Sequence, residues 1–203
     1  FEQLQELPIE SVSGQVTRFA GTAESNNIDH IITGERTLFP STDHELVSHL
    51  VAASYRNFDG LTPNDSFSDS DNEENFKAIQ KLLTNKSLLH NDILQSQAAI
   101  RSSTPDRVPL VGAVPNINII KNRYGGLKRN ANRKFDNLYT DQNYWPGLYI
   151  SAAHGSNGLA TCGYSAEILA SLICGEQLPI GQETLDALNP IRFAIRDLKK
   201  QIS

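Results

Sequence analysis

The chain has 203 residues, a formal net charge of −5, 39% hydrophobic and 20% charged residues, the make-up of an ordinary globular protein with length for one large domain or two small ones. It contains no run of about 18 apolar residues, which excludes a membrane-spanning helix, and no signal-peptide pattern opens it. It starts at Phe1 and has no methionine, so it reads as a piece of something longer, and its acidic balance gives no global sign of nucleic-acid binding.

Val12, Val16 and Phe19 punctuate a strand expected from Ile9 to Phe19, with Gly14 a candidate bulge. Ile28 to Ile32 and Arg36 to Phe39 flank Thr33-Gly34-Glu35 as a hairpin, and Leu46 to Tyr55 predicts another strand. An acidic, Ser- and Asn-rich connector runs from Asn57 to Ser70, ending in the capping-box pattern Ser70-x-x-Glu73. Phe76, Ile79 and Leu83 then recur at helical spacing, predicting a helix over about 71–83.

Ala98 to Ser103 and Ile117 to Ile120 read as short strands on either side of a proline-punctuated block. Six basic residues follow without an acid: Lys121, Arg123, Lys128, Arg129, Arg133 and Lys134. With Tyr124 and Gly125-Gly126 among them, they read as a flexible loop, either a solvated one or one that neutralises phosphates and stacks on a base.

Leu148 to Ala153 is a predicted strand and Gly158 to Cys174 a predicted helix, with Gly175 as its left-handed C-cap and Pro179 barring continuation. Asn189-Pro190 opens a last helix with the apolar stripe Ile191, Ile195, Leu198 and Ile202. Cys162 and Cys174 fall in the earlier helix, roughly 18 Å apart, too far for a disulfide, and read as reduced core thiols of a cytosolic protein.

Chemistry concentrates at the strand–turn–helix over Pro146 to Gly175, where first-turn amides without intrahelical partners suit an anion or an electron-rich ring. The histidines at 30, 44, 49, 90 and 154 have no metal-ligand spacing, and Gly155-Ser156-Asn157-Gly158 is one residue short of a nucleophile elbow. Neither G-x-x-x-x-G-K-[ST] nor G-x-G-x-x-G occurs. Arg101, in the strand A-A-I-R-S-S, calls for an anionic partner, either an internal one such as Asp106 or a substrate carboxylate.

R-x-x-T-P-D-x-x-P-x-x-G (Arg101 to Gly112) followed by G-L-Y-I-S-A-A-H-G-S-N-G-L (Gly147 to Leu159) resembles the D-amino-acid/glycine oxidase (DAO) superfamily of FAD enzymes. The opening L-P-I-E-S-V-S-G-Q-V and the ending E-I-L-A-S-L-I-C-G-E-Q-L-P-I and A-L-N-P-I-R-F-A-I-R-D-L-K-K are similar to the bifunctional tRNA 5-methylaminomethyl-2-thiouridine biosynthesis family. Ser13 and Asn157 depart from that pattern, standing where many relatives carry arginine.

The resemblance implies an α+β fold: a mostly antiparallel substrate-domain sheet plus the last strand and helices of a split FAD-binding domain, without its Rossmann N-terminal half. The implied division is a β-rich substrate-binding domain over 1–116, a strand and basic loop over 117–145, and the C-terminal part of the FAD-binding domain over 146–203. It implies a cytoplasmic FAD oxidoreductase that removes the carboxymethyl group from 5-carboxymethylaminomethyl-(2-thio)uridine at the tRNA wobble position. Arg101 would hold the substrate carboxylate, and His154, Gly155, Ser156, Asn157, Gly158 and Leu159 would line the flavin, with His154 equally readable as a structural residue. FAD would need the missing N-terminal half, and a separate methyltransferase domain outside this chain would use S-adenosylmethionine. The implied partners are tRNA and those missing domains, with no membrane and no metal. A small-molecule oxidase of glycine or sarcosine type and a non-enzymatic RNA-binding module are the alternatives.

Overall fold

In a computed structural model of the chain, the described residues are 2–41, 46–57, 67–130, 132 and 140–200. They form two compact units, Ser11–Arg101 and Phe1–Glu10 with Ser102–Ser203, so the expected boundary near 116 falls inside the second of these. The elements are mixed α and β and the ladders antiparallel, in keeping with the α+β expectation.

The unit Ser11–Arg101 is a twisted antiparallel sheet with one helix on it. Its strands are β1 (Glu10–Gly21), β2 (Ile32–Thr33), β3 (Thr37–Phe39), β4 (Ser48–Ala52) and β5 (Arg56–Asn57), followed by helix α1 (Asp69–Leu82) and strand β6 (Leu89–Ser103). The order is β2-β3-β4-β1-β5, with β6 also pairing β1. The hairpin pairs Ile32 with Leu38 and Thr33 with Thr37, so its turn is Gly34-Glu35-Arg36. Phe19, Leu38, Val51, Ile79, Leu83 and Leu89 form the core, where the Phe19 and Phe76 rings meet at 5.3 Å between centroids.

Beside this core lies a polar seam. The buried positions of β1 are Val12, Gly14, Gln15, Thr17 and Phe19, so Val16 is not the inward residue its apolarity suggests. Asn72 Oδ1 on α1 accepts from Gln15 Nε2 at 2.6 Å, Thr17 Oγ1 at 2.7 Å and Ser96 Oγ at 2.8 Å. Asn75 Nδ2 donates to the Gln15 carbonyl at 3.0 Å. The expected capping box is not formed: α1 starts two residues earlier, Ser68 flanks it without a side-chain cap, and Ser70 Oγ accepts from Arg56 Nη2 at 2.7 Å. Much of the acidic connector, residues 58–66, lies outside the described residues.

The second unit is built on a two-stranded ladder, β7 (Leu110–Pro115) against β8 (Tyr144–Ala152), with helices α2 (Ile117–Tyr124), α3 (Gly158–Cys174), α4 (Gln182–Leu188) and α5 (Ile191–Lys200). The strand expected over Ile117–Ile120 is therefore a helix. Asn116 caps it by accepting from the Ile119 amide at 3.3 Å, and an N-cap with a satisfied amide outweighs the β preference of three isoleucines. Asn189 caps α5 as its sequence predicts, Oδ1 accepting from the Ile191 amide at 3.0 Å. Ile191 and Leu198 pack with Ile120, Tyr124 and Leu127, while Ile168 of α3 and Leu185 of α4 pack on Val111 of β7; Ile202 lies outside the described residues.

Candidate cofactor and substrate site

Strand β8 leads into the glycine turn through two left-handed residues, Ala153 (φ 60°) and Gly155 (φ 56°), on either side of His154. A 3-10 turn over Gly155–Asn157 follows, and α3 begins at Gly158 with no side-chain cap at Asn157. Among the described residues no side chain caps the first turn of α3, and the partial positive charge of the helix start has no side chain set against it. A Cβ at Gly155 would find only Ser103 Oγ at 3.7 Å, and Leu159 is fully exposed. The turn therefore presents backbone with little side-chain cover, the chemistry suited to an electron-rich ring or an anion. At the other end Gly175 (φ 68°) closes α3, and the Glu176 amide donates to the Ser171 carbonyl at 2.9 Å.

His154 lies inside the turn. Its Nδ1 is 2.8 Å from Thr161 Oγ1 and its Nε2 3.0 Å from Ser151 Oγ. Burial depresses its pKa below the usual imidazole value, favouring the neutral ring. These contacts tie the end of β8 to the first turn of α3, and neither Ser151 nor Thr161 stands out in the sequence. The two cysteines, expected as core thiols, are exposed instead. The buried stripe of α3 is Ser165, Ile168 and Ser171, and the cysteines fall off it.

Arg101 lies near the end of β6, half-buried. Its guanidinium occupies the space a side chain at Gly14 would need: a Cβ there would come within 2.6 Å of Cζ and 2.9 Å of Nη1. Gly14, read from the sequence as a bulge candidate, has this steric reason to be glycine. Asp106, the internal partner suggested for Arg101, is engaged through both carboxylate oxygens by Arg192, at 3.0 and 3.1 Å. Burial works to raise the Asp106 pKa, but the bonds from Arg192, Thr104 and the Val108 amide outweigh it and hold the carboxyl below its usual range.

The basic segment is not a loop throughout. Lys121 and Arg123 lie on α2, and Lys128 ends the 3-10 turn Gly125–Lys128, with Arg129 next. Lys121 pairs with Glu6 at 2.9 Å. Arg123 donates to Gln142 Oε1 at 2.6 Å, Asn143 Oδ1 at 2.9 Å and Thr140 Oγ1 at 3.2 Å. Arg133 and Lys134 lie outside the described residues.

Relatives cover nearly all of the chain. The protein named tRNA 5-methylaminomethyl-2-thiouridine biosynthesis bifunctional protein MnmC in Leptospira borgpetersenii serovar Hardjo-bovis is 34% identical over 205 residues, which is 98% of this chain and 29% of the relative. Its namesake in Chromobacterium violaceum is 32% identical over 98% of this chain and 29% of its own. The chain thus spans under a third of the length of these curated relatives. Among solved structures, glycine oxidase from Bacillus cereus superposes with a TM-score of 0.53 at 15% identity, over 87% of this chain and 38% of that one. Iminodiacetate oxidase from Chelativorans superposes with a TM-score of 0.55 at 13% identity, over 88% and 40%. At such identities the likeness is one of fold. The described residues include no helix long and apolar enough to cross a membrane. Residues 1–172 match the FAD dependent oxidoreductase family, DAO, and the chain belongs to that family.

Proposed function

We propose that this chain is the C-terminal part of an FAD-dependent oxidase that removes the carboxymethyl group from 5-carboxymethylaminomethyl-(2-thio)uridine at the wobble position of tRNA. The observation that carries the reading is Arg101, a half-buried guanidinium seated over a glycine in a strand of the antiparallel sheet. The near-complete coverage by relatives named for tRNA thiouridine biosynthesis supports the choice of substrate.

The substrate arm is a glycine unit, a secondary amine beside a carboxylate. Arg101 receives that carboxylate as a charge-assisted pair and so fixes the orientation of the adjacent C–H. FAD, when bound, supplies the two-electron oxidation of the C–N bond. The positive end of α3, which no side chain caps at Asn157, would oppose negative charge on a bound flavin ring. Hydrolysis of the resulting substrate imine releases glyoxylate and leaves the aminomethyl base. The fingerprint G-x-G-x-x-G lies in the rest of a longer polypeptide on this reading, as does a methyltransferase domain using S-adenosylmethionine. Lys128 and Arg129 contact tRNA phosphates, and the enzyme works in the cytoplasm.

The test is turnover by the full-length enzyme. Arg101→Ala should lower kcat/KM on modified tRNA by roughly 100-fold, the value of a charged hydrogen-bonded pair, and Arg101→Lys should fall between. Near-normal kinetics for Arg101→Ala would remove the role. Oxidation of glycine or sarcosine in preference to tRNA would favour the small-molecule reading.

A further inference from the structure

Ser151, His154, Thr161 and Asn157 form a hydrogen-bond chain whose direction follows from counting protons. Thr161 Oγ1 donates to the Asn157 carbonyl at 2.9 Å, which uses its only proton. The 2.8 Å contact between Thr161 Oγ1 and His154 Nδ1 therefore has the imidazole as donor. A neutral ring protonated on Nδ1 leaves a lone pair on Nε2. The Ser151 hydroxyl, 3.0 Å away, must donate to that lone pair. Burial of the ring disfavours the doubly protonated form. Ser151 is exposed, and with its proton turned inward it offers only lone pairs outward.

We propose that Ser151 Oγ is an acceptor-only contact that selects an imide N–H of the bound ligand, with His154 and Thr161 as the positioning residues that set its polarity. An unconstrained serine hydroxyl serves donors and acceptors alike, whereas this one favours an N–H over a carbonyl. Both the pyrimidine end of a flavin and the uracil ring of a wobble uridine carry such a group. The polarity stands on the hydrogen-bond chain around a neutral, partly buried ring; the choice of these two ligands rests on the function proposed above.

The experiment uses the full-length enzyme. Nitrogen-15 spectra of labelled histidine should show His154 as the Nδ1–H tautomer, shifting toward Nε2–H in Thr161→Val. The apoenzyme's affinity for FAD against N3-methyl-FAD is the first binding arm. Affinity for an anticodon stem-loop with uridine against N3-methyluridine at the wobble position is the second. The unsubstituted enzyme should reject the methylated ligand in one arm by roughly tenfold, the value of one hydrogen bond with its desolvation, and that arm identifies the source. Ser151→Ala and Thr161→Val should each abolish the preference, while Thr161→Ser, which keeps the hydroxyl, should retain it. Thr161→Val is near-isosteric and changes a residue behind His154, so its effect reads polarity rather than bulk. An Nε2–H tautomer in the unsubstituted enzyme, or no N–H preference in either arm, overturns the proposal. Failure to bind FAD at all would overturn the flavoenzyme reading instead, and the tautomer and the stem-loop arm would still decide this one.

Discussion

Helices α1 and α3 bury surfaces opposite to what their compositions suggest. α1 (Asp69–Leu82) is mostly polar, yet it sets Asn72 and Asn75 as well as Ile79 into the sheet. α3 (Gly158–Cys174) is mostly apolar, yet its buried stripe is Ser165, Ile168 and Ser171, and it leaves Leu159, Tyr164 and Ile173 in the open. Apolar content alone therefore does not report burial. α1 meets its own unit through directed hydrogen bonds from Asn72 and Asn75 as well as through the packing of Phe76 and Ile79. α3 carries more apolar surface than its unit covers, which on the proposed function is the surface that meets the rest of the polypeptide.

The contrast can be broken at four points. Asn72→Ala should be the most damaging, about 3 kcal/mol in urea unfolding, because three donors lose a shared acceptor in a buried seam; a loss under half of that would mean water replaces the carbonyl. In the same unit, His49 is buried with Nε2 at 2.8 Å from Ser25 Oγ and no partner at Nδ1 among the described residues. Burial lowers its pKa below the usual imidazole value of about 6.5, so the folded chain binds fewer protons there than the unfolded one. Its contribution is present above that value and is lost as pH falls through it toward the depressed folded pKa, by at most about 1.4 kcal/mol per pH unit. His49→Gln should flatten that part of the stability–pH curve, and an unchanged slope would assign it to other groups.

On α3 the expected effects are smaller. Ile168→Val should cost about 1 kcal/mol, the value of one buried methylene. Ile173→Glu, on the open face, should change the stability of this chain by less than about 0.5 kcal/mol. In the full-length enzyme the same substitution should reduce retained flavin, measured as the absorbance ratio of flavin to protein. Equal flavin content would mean that this face stays open there too.

Local signals in the sequence carry over well. Asn189-Pro190 before α5, Gly175 after α3 and the glycine turn between β8 and α3 each depend on one or two neighbouring residues. The failures have a common cause in competition between local and distant terms. Ile117, Ile119 and Ile120 favour a strand by branching, but Asn116 and the packing of Ile120 and Tyr124 on α5 make it a helix. β7 hides between prolines, and Pro115 is tolerated because it stands at the strand's end, beside a register shift. α4 buries only Leu185, too little for a periodic signal. At the site, the turn is legible because glycine spacing is local. The Ser151–His154–Thr161 chain is not, because it depends on side chains meeting across a strand–helix junction.

Gly14 gives the molecule an unusual handle on its own charge. The guanidinium of Arg101 lies where it does because atoms are missing beneath it, so the address of the cation is written at a residue other than the one that carries it. Adding a single methyl group there would move the charge without removing it. On the proposed function, a drift from glycine at position 14 would retune which carboxylates are accepted while leaving the arginine untouched, and two sequences with the same arginine need not have the same preference.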